Sequence, residues 1–250
     1  MAIAGVPLTE FLPPASGTAS LLLLGGDRHT AAAFRRAGYR VDRHALDTGP
    51  LAQLAGVPFT PPAVTWPFPD AAYDVVVLLD ELALTMREEE ALAEAARVLR
   101  PGGILLLRVP GSGPLSWLDG YNAYRYIRDI TRRGKLLPEV RGIGWRRHYR
   151  RDDLRGLLAP HLRVRAMTPS GMGLSDAARL GLSLVWRWAL RSERGDKAIR
   201  VVPQSLARWE GRWTVPRWGY WLVIVAERSL EQPGSTGDAG MPPAPDIASL

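Results

Sequence analysis

The sequence predicts a single α/β domain on a mostly parallel sheet. Three observations point there. Short apolar runs at 20–24, 73–79 and 103–109 have the pattern of strands buried on both faces. Segments of helical periodicity alternate with them. Residues 67–110 hold a whole strand-helix-strand unit, which in a parallel sheet is a right-handed crossover. At 250 residues the chain suits one domain with insertions rather than two full domains.

In chain order, residues 1–18, with Pro13-Pro14 and no periodicity, are expected to form a flexible arm. Strand 20–24 runs into Gly25-Gly26-Asp27, and 29–37 is helical in character; glycines at such a turn let a ligand approach the backbone closely. A second strand fits 38–45. After strand 73–79, Thr85 is placed to cap a helix. Glu88, Glu89 and Glu90 then lie near its positive end, and Arg97 and Arg100 in its last turn. Ala91, Leu92, Ala95, Val98 and Leu99 recur at helical spacing, and Pro101-Gly102-Gly103 stops the helix before strand 103–109.

Residues 117–133 predict an amphipathic helix whose tyrosines read as core. A helix at 151–158 and a strand at 161–167 follow. Residues 174–190 form a strongly apolar helix with Trp186 and Trp188, 218–227 a last strand, and the Gly/Pro/Ser-rich 230–250 a disordered tail.

Composition narrows the chemistry. No cysteine is present, which excludes disulfides, thiolate metal sites and a cysteine nucleophile; with no secretory leader, the expected compartment is cytoplasmic. Residues 1–110 hold 9 arginines and 12 acids and residues 111–250 hold 23 basic residues and 13 acids, so −3 faces +10. A basic second half suits an anionic substrate or a membrane surface. An arginine-rich composition, with only Lys135 and Lys197 as lysines, is the plainer account. No P-loop, metal-ligand cluster or Gly-x-Ser-x-Gly elbow occurs, and no metal is expected.

The order PFPDAAYDVVV at 67–77, an acidic helix, then RVLRPGGILLLRVP at 97–110 resembles the central segment of class I S-adenosylmethionine-dependent methyltransferases, the type 11 group above all. The resemblance implies a Rossmann-like fold: a seven-stranded, mostly parallel sheet with helices on both faces and a helical insertion before the last strand. The domain would span 19–229, with 170–216 as a helical lid and a short third strand at 63–66. It implies S-adenosylmethionine as cofactor, lined by Gly25, Gly26, Asp27, Ala45, Ala63, Val64, Leu79 and Asp80.

Several positions depart from the family's pattern. Leu23 stands for the acid before the glycine loop, Asp27 and His29 stand for its second and third glycines, Ala45 for the ribose-binding acid, and Pro62 for the adenine-reading acid. Asp80 is the best remaining polar contact, with a helix-capping acid as the plainer reading. His148 is the one candidate general base, since an unperturbed imidazole ionises near neutral pH. Trp117, Tyr121, His148 and Trp186 are assigned to the acceptor side.

The expected activity is in-line methyl transfer to a small-molecule or lipid-like acceptor, anionic ones included. The alternative is a catalytically inactive methyltransferase-like binding or scaffolding module. A dinucleotide-dependent reductase is disfavoured because Gly-x-Gly-x-x-Gly is absent. The basic, Trp-rich lid also suits peripheral contact with a membrane surface. Nucleic acid is not an expected partner, because no recognition motif accompanies the tryptophans.

Overall fold

The structure, a computed structural model, describes residues 2–3, 6–7, 12, 17–26, 28–44, 66–85, 87–134, 145–192, 194–210 and 219–229. Of the arm expected to be flexible, residues 2–3 and 6–7 pair as a short antiparallel ribbon and 12, 17 and 18 are also described; its other residues, the tail at 230–250 and residues 63–65 of the expected third strand lie outside the described residues. Among the described residues, six strands form the main sheet: β1 (Ser20–Gly25), β2 (Arg40–His44), β3 (Tyr73–Leu79), β4 (Leu99–Pro110), β5 (Arg163–Ser170) and β6 (Trp221–Glu227). Seven were expected; residues 63–65 of the seventh lie outside the described residues, and Trp66, its described end, is not in a strand.

The spatial order is β2-β1-β3-β4-β6-β5. The first four strands are mutually parallel, while β6 runs antiparallel between β4 and β5. Successive side chains alternate between faces, so each apolar run feeds two cores. On one face Leu22, Leu24, Val76, Leu78, Leu105 and Leu107 pack under α2 (Glu88–Val98) and α4 (Arg151–Leu158). On the other, Leu21, Leu23, Val75, Val77 and Leu106 pack with Ala31 and Phe34 of α1 (Arg28–Arg36).

Much of the segment that carries the resemblance is scaffold at the amino edge of the sheet. Asp74 Oδ2 accepts from Ser20 N at 2.7 Å and from Ser20 Oγ at 2.8 Å, and its Oδ1 accepts from Arg100 at 2.5 Å, so one carboxylate ties the starts of β1, β3 and β4. Burial pushes the Asp74 carboxyl up, but the Ser20 and Arg100 hydrogen bonds outweigh it and hold it below the usual range. Arg97 gathers the lead-in: it donates to Phe68 O at 2.9 Å, Trp66 O at 3.2 Å, Asp70 Oδ1 at 2.5 Å and Glu94 Oε2 at 2.8 Å.

Two local expectations are corrected here. Thr85 does not cap α2, which begins at Glu88; its Oγ1 accepts from Arg87 N at 3.2 Å instead. Arg100 is not in the helix, because Leu99 is already extended and β4 starts there. Reaching Asp74 requires that early exit.

Between β4 and β5 lies α3 (Gly120–Thr131), and between β5 and β6 stand α5 (Leu174–Ser183), continuing as a π-helical stretch over Leu184–Ala189, and α6 (Asp196–Glu210). Tyr121, Tyr124 and Ile199 form a third small core joining these helices. No helix among the described residues is long and apolar enough to cross a membrane.

Candidate active site

The carboxyl ends of β1, β3 and β4 meet at one edge, where open α/β sheets bind ligands. β1 ends there in Gly25 (φ +76°) and Gly26 (φ +69°), consecutive left-handed residues that side-chain-bearing residues adopt only under strain. A Cβ on Gly25 would lie 2.5 Å from Leu79 O and 2.7 Å from Glu81 Cγ; one on Gly26 would lie 3.1 Å from Leu79 Cδ1. Gly25, Gly26 and Leu79 are therefore brought together as expected. Asp27, Ala45, Ala63 and Val64 lie outside the described residues, so the ribose and adenine sides of the expected pocket are not placed.

Asp80 follows Leu79 at φ +68°. Arg108 of β4 holds it by two hydrogen bonds, Nε to Oδ1 at 3.0 Å and Nη2 to Oδ2 at 2.5 Å. Its carboxylate is thus committed to a cation of the next strand. Asp42 of β2 accepts from Tyr73 Oη at 3.0 Å, and burial with that bond pushes the Tyr73 phenol up to about 12. Arg43 donates to Gly26 O at 3.1 Å.

From Arg108 a chain of contacts runs outward along the same edge. Its guanidinium lies 4.8 Å from the Trp221 ring, and that of Arg146 lies 5.2 Å from the same ring. Arg146, 3 % exposed, donates Nε to Asp119 Oδ2 at 3.2 Å and Nη2 to Asp176 Oδ2 at 2.5 Å, and also bonds the Tyr220 hydroxyl. Its backbone is clamped as well: N donates to Asn122 Oδ1 at 2.8 Å, and O accepts from Asn122 Nδ2 at 2.7 Å.

Asp119 has three tasks. It caps α3 by accepting from Tyr121 N at 2.8 Å and Asn122 N at 3.2 Å, it pairs with Arg146, and its Oδ2 lies 3.1 Å from His148 Nε2. Burial pushes its carboxyl up, but Arg146 and His148 more than offset this and hold it down at about 2. Nearby, burial pushes the Glu210 carboxyl up, against hydrogen bonds from Ser175 N and Oγ at 3.2 Å each.

The acceptor-side residues therefore separate. Tyr121 and His148 belong to this buried network. Tyr121 is sandwiched by the guanidiniums of Arg146 at 4.9 Å and Arg179 at 4.6 Å. Trp117 is 70 % exposed on the outer surface. Trp186 packs on Gly195, where a Cβ would lie 2.1 Å from the indole Cγ, and Trp188 Nε1 donates to Thr131 Oγ1 at 2.8 Å. Sequence reading missed Arg108, Asp119, Arg146, Asp176 and Tyr220. Asp119-Gly120 before a helical pattern is a capping signal that would have found one of them. Arg108 inside an apolar strand would have found another.

A parallel sheet with this strand order, an antiparallel last strand and a left-handed glycine turn at the carboxyl edge defines the class I S-adenosylmethionine-dependent methyltransferase fold. Residues 27–107 match the family model described as "Methyltransferase domain", the Methyltransf_11 family. The chain thus has the class I S-adenosylmethionine-dependent methyltransferase fold, and its residues 27–107 are similar to the type 11 group.

Among solved structures, a proposed methyltransferase from Bacillus halodurans is 16 % identical with a TM-score of 0.51, covering 89 % of this chain and 99 % of that one. The [4+2]-cyclase SpnF is 14 % identical with a TM-score of 0.52, covering 90 % and 80 %. A proposed sarcosine dimethylglycine methyltransferase from Galdieria sulphuraria is 18 % identical with a TM-score of 0.48, covering 89 % and 82 %. No curated protein matches the sequence. Because the fold also carries a cyclase, it does not by itself choose the reaction.

Proposed function

We propose that this protein transfers a methyl group from S-adenosylmethionine to a small-molecule or lipid-like acceptor, anionic ones included. One observation carries the reading: Gly25 and Gly26 are both left-handed at the switch of the sheet and so close to Leu79 that a Cβ on either would crowd it, which leaves bare backbone at the ligand edge. That backbone fits the cofactor. Gly25, Gly26 and Leu79 would lie along it, and the bound cofactor would supply an electrophilic methyl group on sulfur. The chain's own residues then need only align the acceptor and exclude water. α5 and α6, standing between β5 and β6 beside that edge, suit the second task.

A specific observation favours the alternative, a methyltransferase-like binding or scaffolding module. Asp80 is neutralised by Arg108, and Arg43 caps the carbonyl of Gly26, so both groups are already engaged within the chain. Calorimetric titration with S-adenosylhomocysteine separates the two. A working pocket should bind tighter than about 0.1 mM, roughly −5.5 kcal/mol. No heat and no thermal shift at millimolar ligand would sink the enzyme reading.

A cytoplasmic protein touching the membrane surface remains part of the proposal, with the contact moved off the lid's inward-packed Trp186 and Trp188. Tyr126, Ile130 and Trp145 are 69 %, 65 % and 48 % exposed, and with Asn122, Arg125 and Asp129 they line an open cleft of about 480 Å³. Replacing Tyr126 and Trp145 by serine should abolish co-sedimentation with anionic phospholipid vesicles. Unchanged co-sedimentation, or none in the parent protein, removes the membrane contact.

A further inference from the structure

We propose that Glu81 is the carboxylate of the cofactor pocket and receives the α-ammonium group of S-adenosylmethionine. The assignment rests on the methyltransferase reading and names the group of the cofactor that this residue would meet. A carboxylate reaches the glycine turn from the β3 side. A Cβ built on Gly25 would lie 2.7 Å from Glu81 Cγ and 2.9 Å from its Oε1, so the glutamate side chain lies against the bare backbone at the end of β1. Glu81 is half-buried there.

The backbone that delivers it is strained and locked. Asp80 sits at φ +68°, a left-handed conformation that a residue with a side chain seldom takes and that persists only where the surrounding structure imposes it. Arg108 imposes it in three places: Asp80 N donates to Arg108 O at 3.0 Å, and the guanidinium donates to both carboxylate oxygens. Glu81 follows in the right-handed region, and Leu84 N closes a single 3-10 turn on its carbonyl at 3.0 Å. The two acids after β3 are thereby given different partners. Asp80 is matched by Arg108 of β4, whereas Glu81 is turned towards the end of β1.

Charge selects the group that such a residue receives. S-adenosylmethionine carries two cations, an ammonium and a sulfonium. A carboxylate attracts either by charge but accepts hydrogen bonds only from the ammonium, and charge-assisted bonds are the stronger kind. Its two oxygens offer about four acceptor positions, so contacts within the chain leave others for a ligand. S-adenosylhomocysteine keeps the ammonium and has lost the sulfonium charge, which makes it the ligand that reads this contact alone.

The test is calorimetric titration of the full chain, and of Glu81→Gln, with S-adenosylhomocysteine and with its desamino analogue, which lacks the ammonium and keeps the carboxylate. The parent protein should prefer S-adenosylhomocysteine by at least about tenfold, and Glu81→Gln should reduce that preference to less than about threefold. Glutamine has nearly the shape of glutamate, so the thermal unfolding of the variant should match the parent's. A parent protein that binds both ligands equally overturns the proposal, even if the variant fails to fold. So does a variant that keeps the full preference, which would put the ammonium elsewhere. A variant that binds both ligands more tightly also overturns it, by making Glu81 a plug. Each of these results leaves the methyltransferase reading standing. A parent protein that binds neither ligand sinks that reading, and the role of Glu81 with it.

Discussion

Replacing Arg146 by methionine should lower the free energy of unfolding by about 3–5 kcal/mol, the usual cost of removing one partner from a buried ion pair. Methionine keeps most of the length of the side chain but removes the cation shared by Asp119 and Asp176, 1 % and 2 % exposed, leaving Asp176 only Arg179 at 3.6 Å and Asp119 only His148. Denaturant unfolding at pH 7 measures the loss. Arg155→Met is the control: its partner Asp152 is 90 % exposed, so the change should stay within about 0.5 kcal/mol. A loss of less than about 1 kcal/mol at Arg146 would mean that the network is not what joins α3, α5 and β6.

The same network has a signature in acid. The Asp119 carboxyl titrates at about 2 in the folded protein against an ordinary value of 3.8, so its folded-state pKa is depressed. Its contribution, about 2 kcal/mol, is fully present above pH ~4 and is lost as pH falls towards 2. In the Arg146→Met protein this acid-dependent loss should shrink, because protonating Asp119 then relieves an unpaired charge.

Gly25→Ala should cost about 1–3 kcal/mol in stability from its left-handed backbone alone. It should also weaken S-adenosylhomocysteine binding by at least about tenfold, or 1.4 kcal/mol. The new Cβ meets the Leu79 carbonyl oxygen at 2.5 Å, and a backbone atom, unlike the flexible end of a side chain, yields only if β1 and β3 separate. Gly156→Ala, in α4 with nothing within 4 Å of its Cβ, should instead stabilise by about 0.5–1 kcal/mol. Equal effects at the two sites would show that neither close packing nor backbone conformation sets Gly25 apart.

Most of the sheet was legible because buried parallel strands write themselves as continuous apolar runs. Residues 20–24, 73–79 and 103–109 lie within β1, β3 and β4, and α4 matches its expected span of 151–158. Boundaries were less legible where a side chain decides them. Arg100 leaves α2 early because Asp74, far behind it in sequence, takes its guanidinium. The residues that announced the family, Phe68, Asp70, Asp74, Arg97 and Arg100, turn out to clamp the amino edge. They identify the fold without touching the site, which is why a strong family signal coexists with a weak cofactor signal.

At the site, the glycine turn was readable because glycine leaves a mark in sequence wherever the backbone needs a positive φ. The pairing of Asp80 was not readable, because the neighbouring strand must be in place to present Arg108. The sequence by itself determined the two-faced parallel sheet, the crossover and the position of the ligand edge, since all three follow from local periodicity and turn chemistry. Only the tertiary structure decided which charges are free to act. Arg146 pairs with Asp119 and Asp176, 27 and 30 residues away and on different helices, and ion pairing depends on distance in space, which no local pattern encodes.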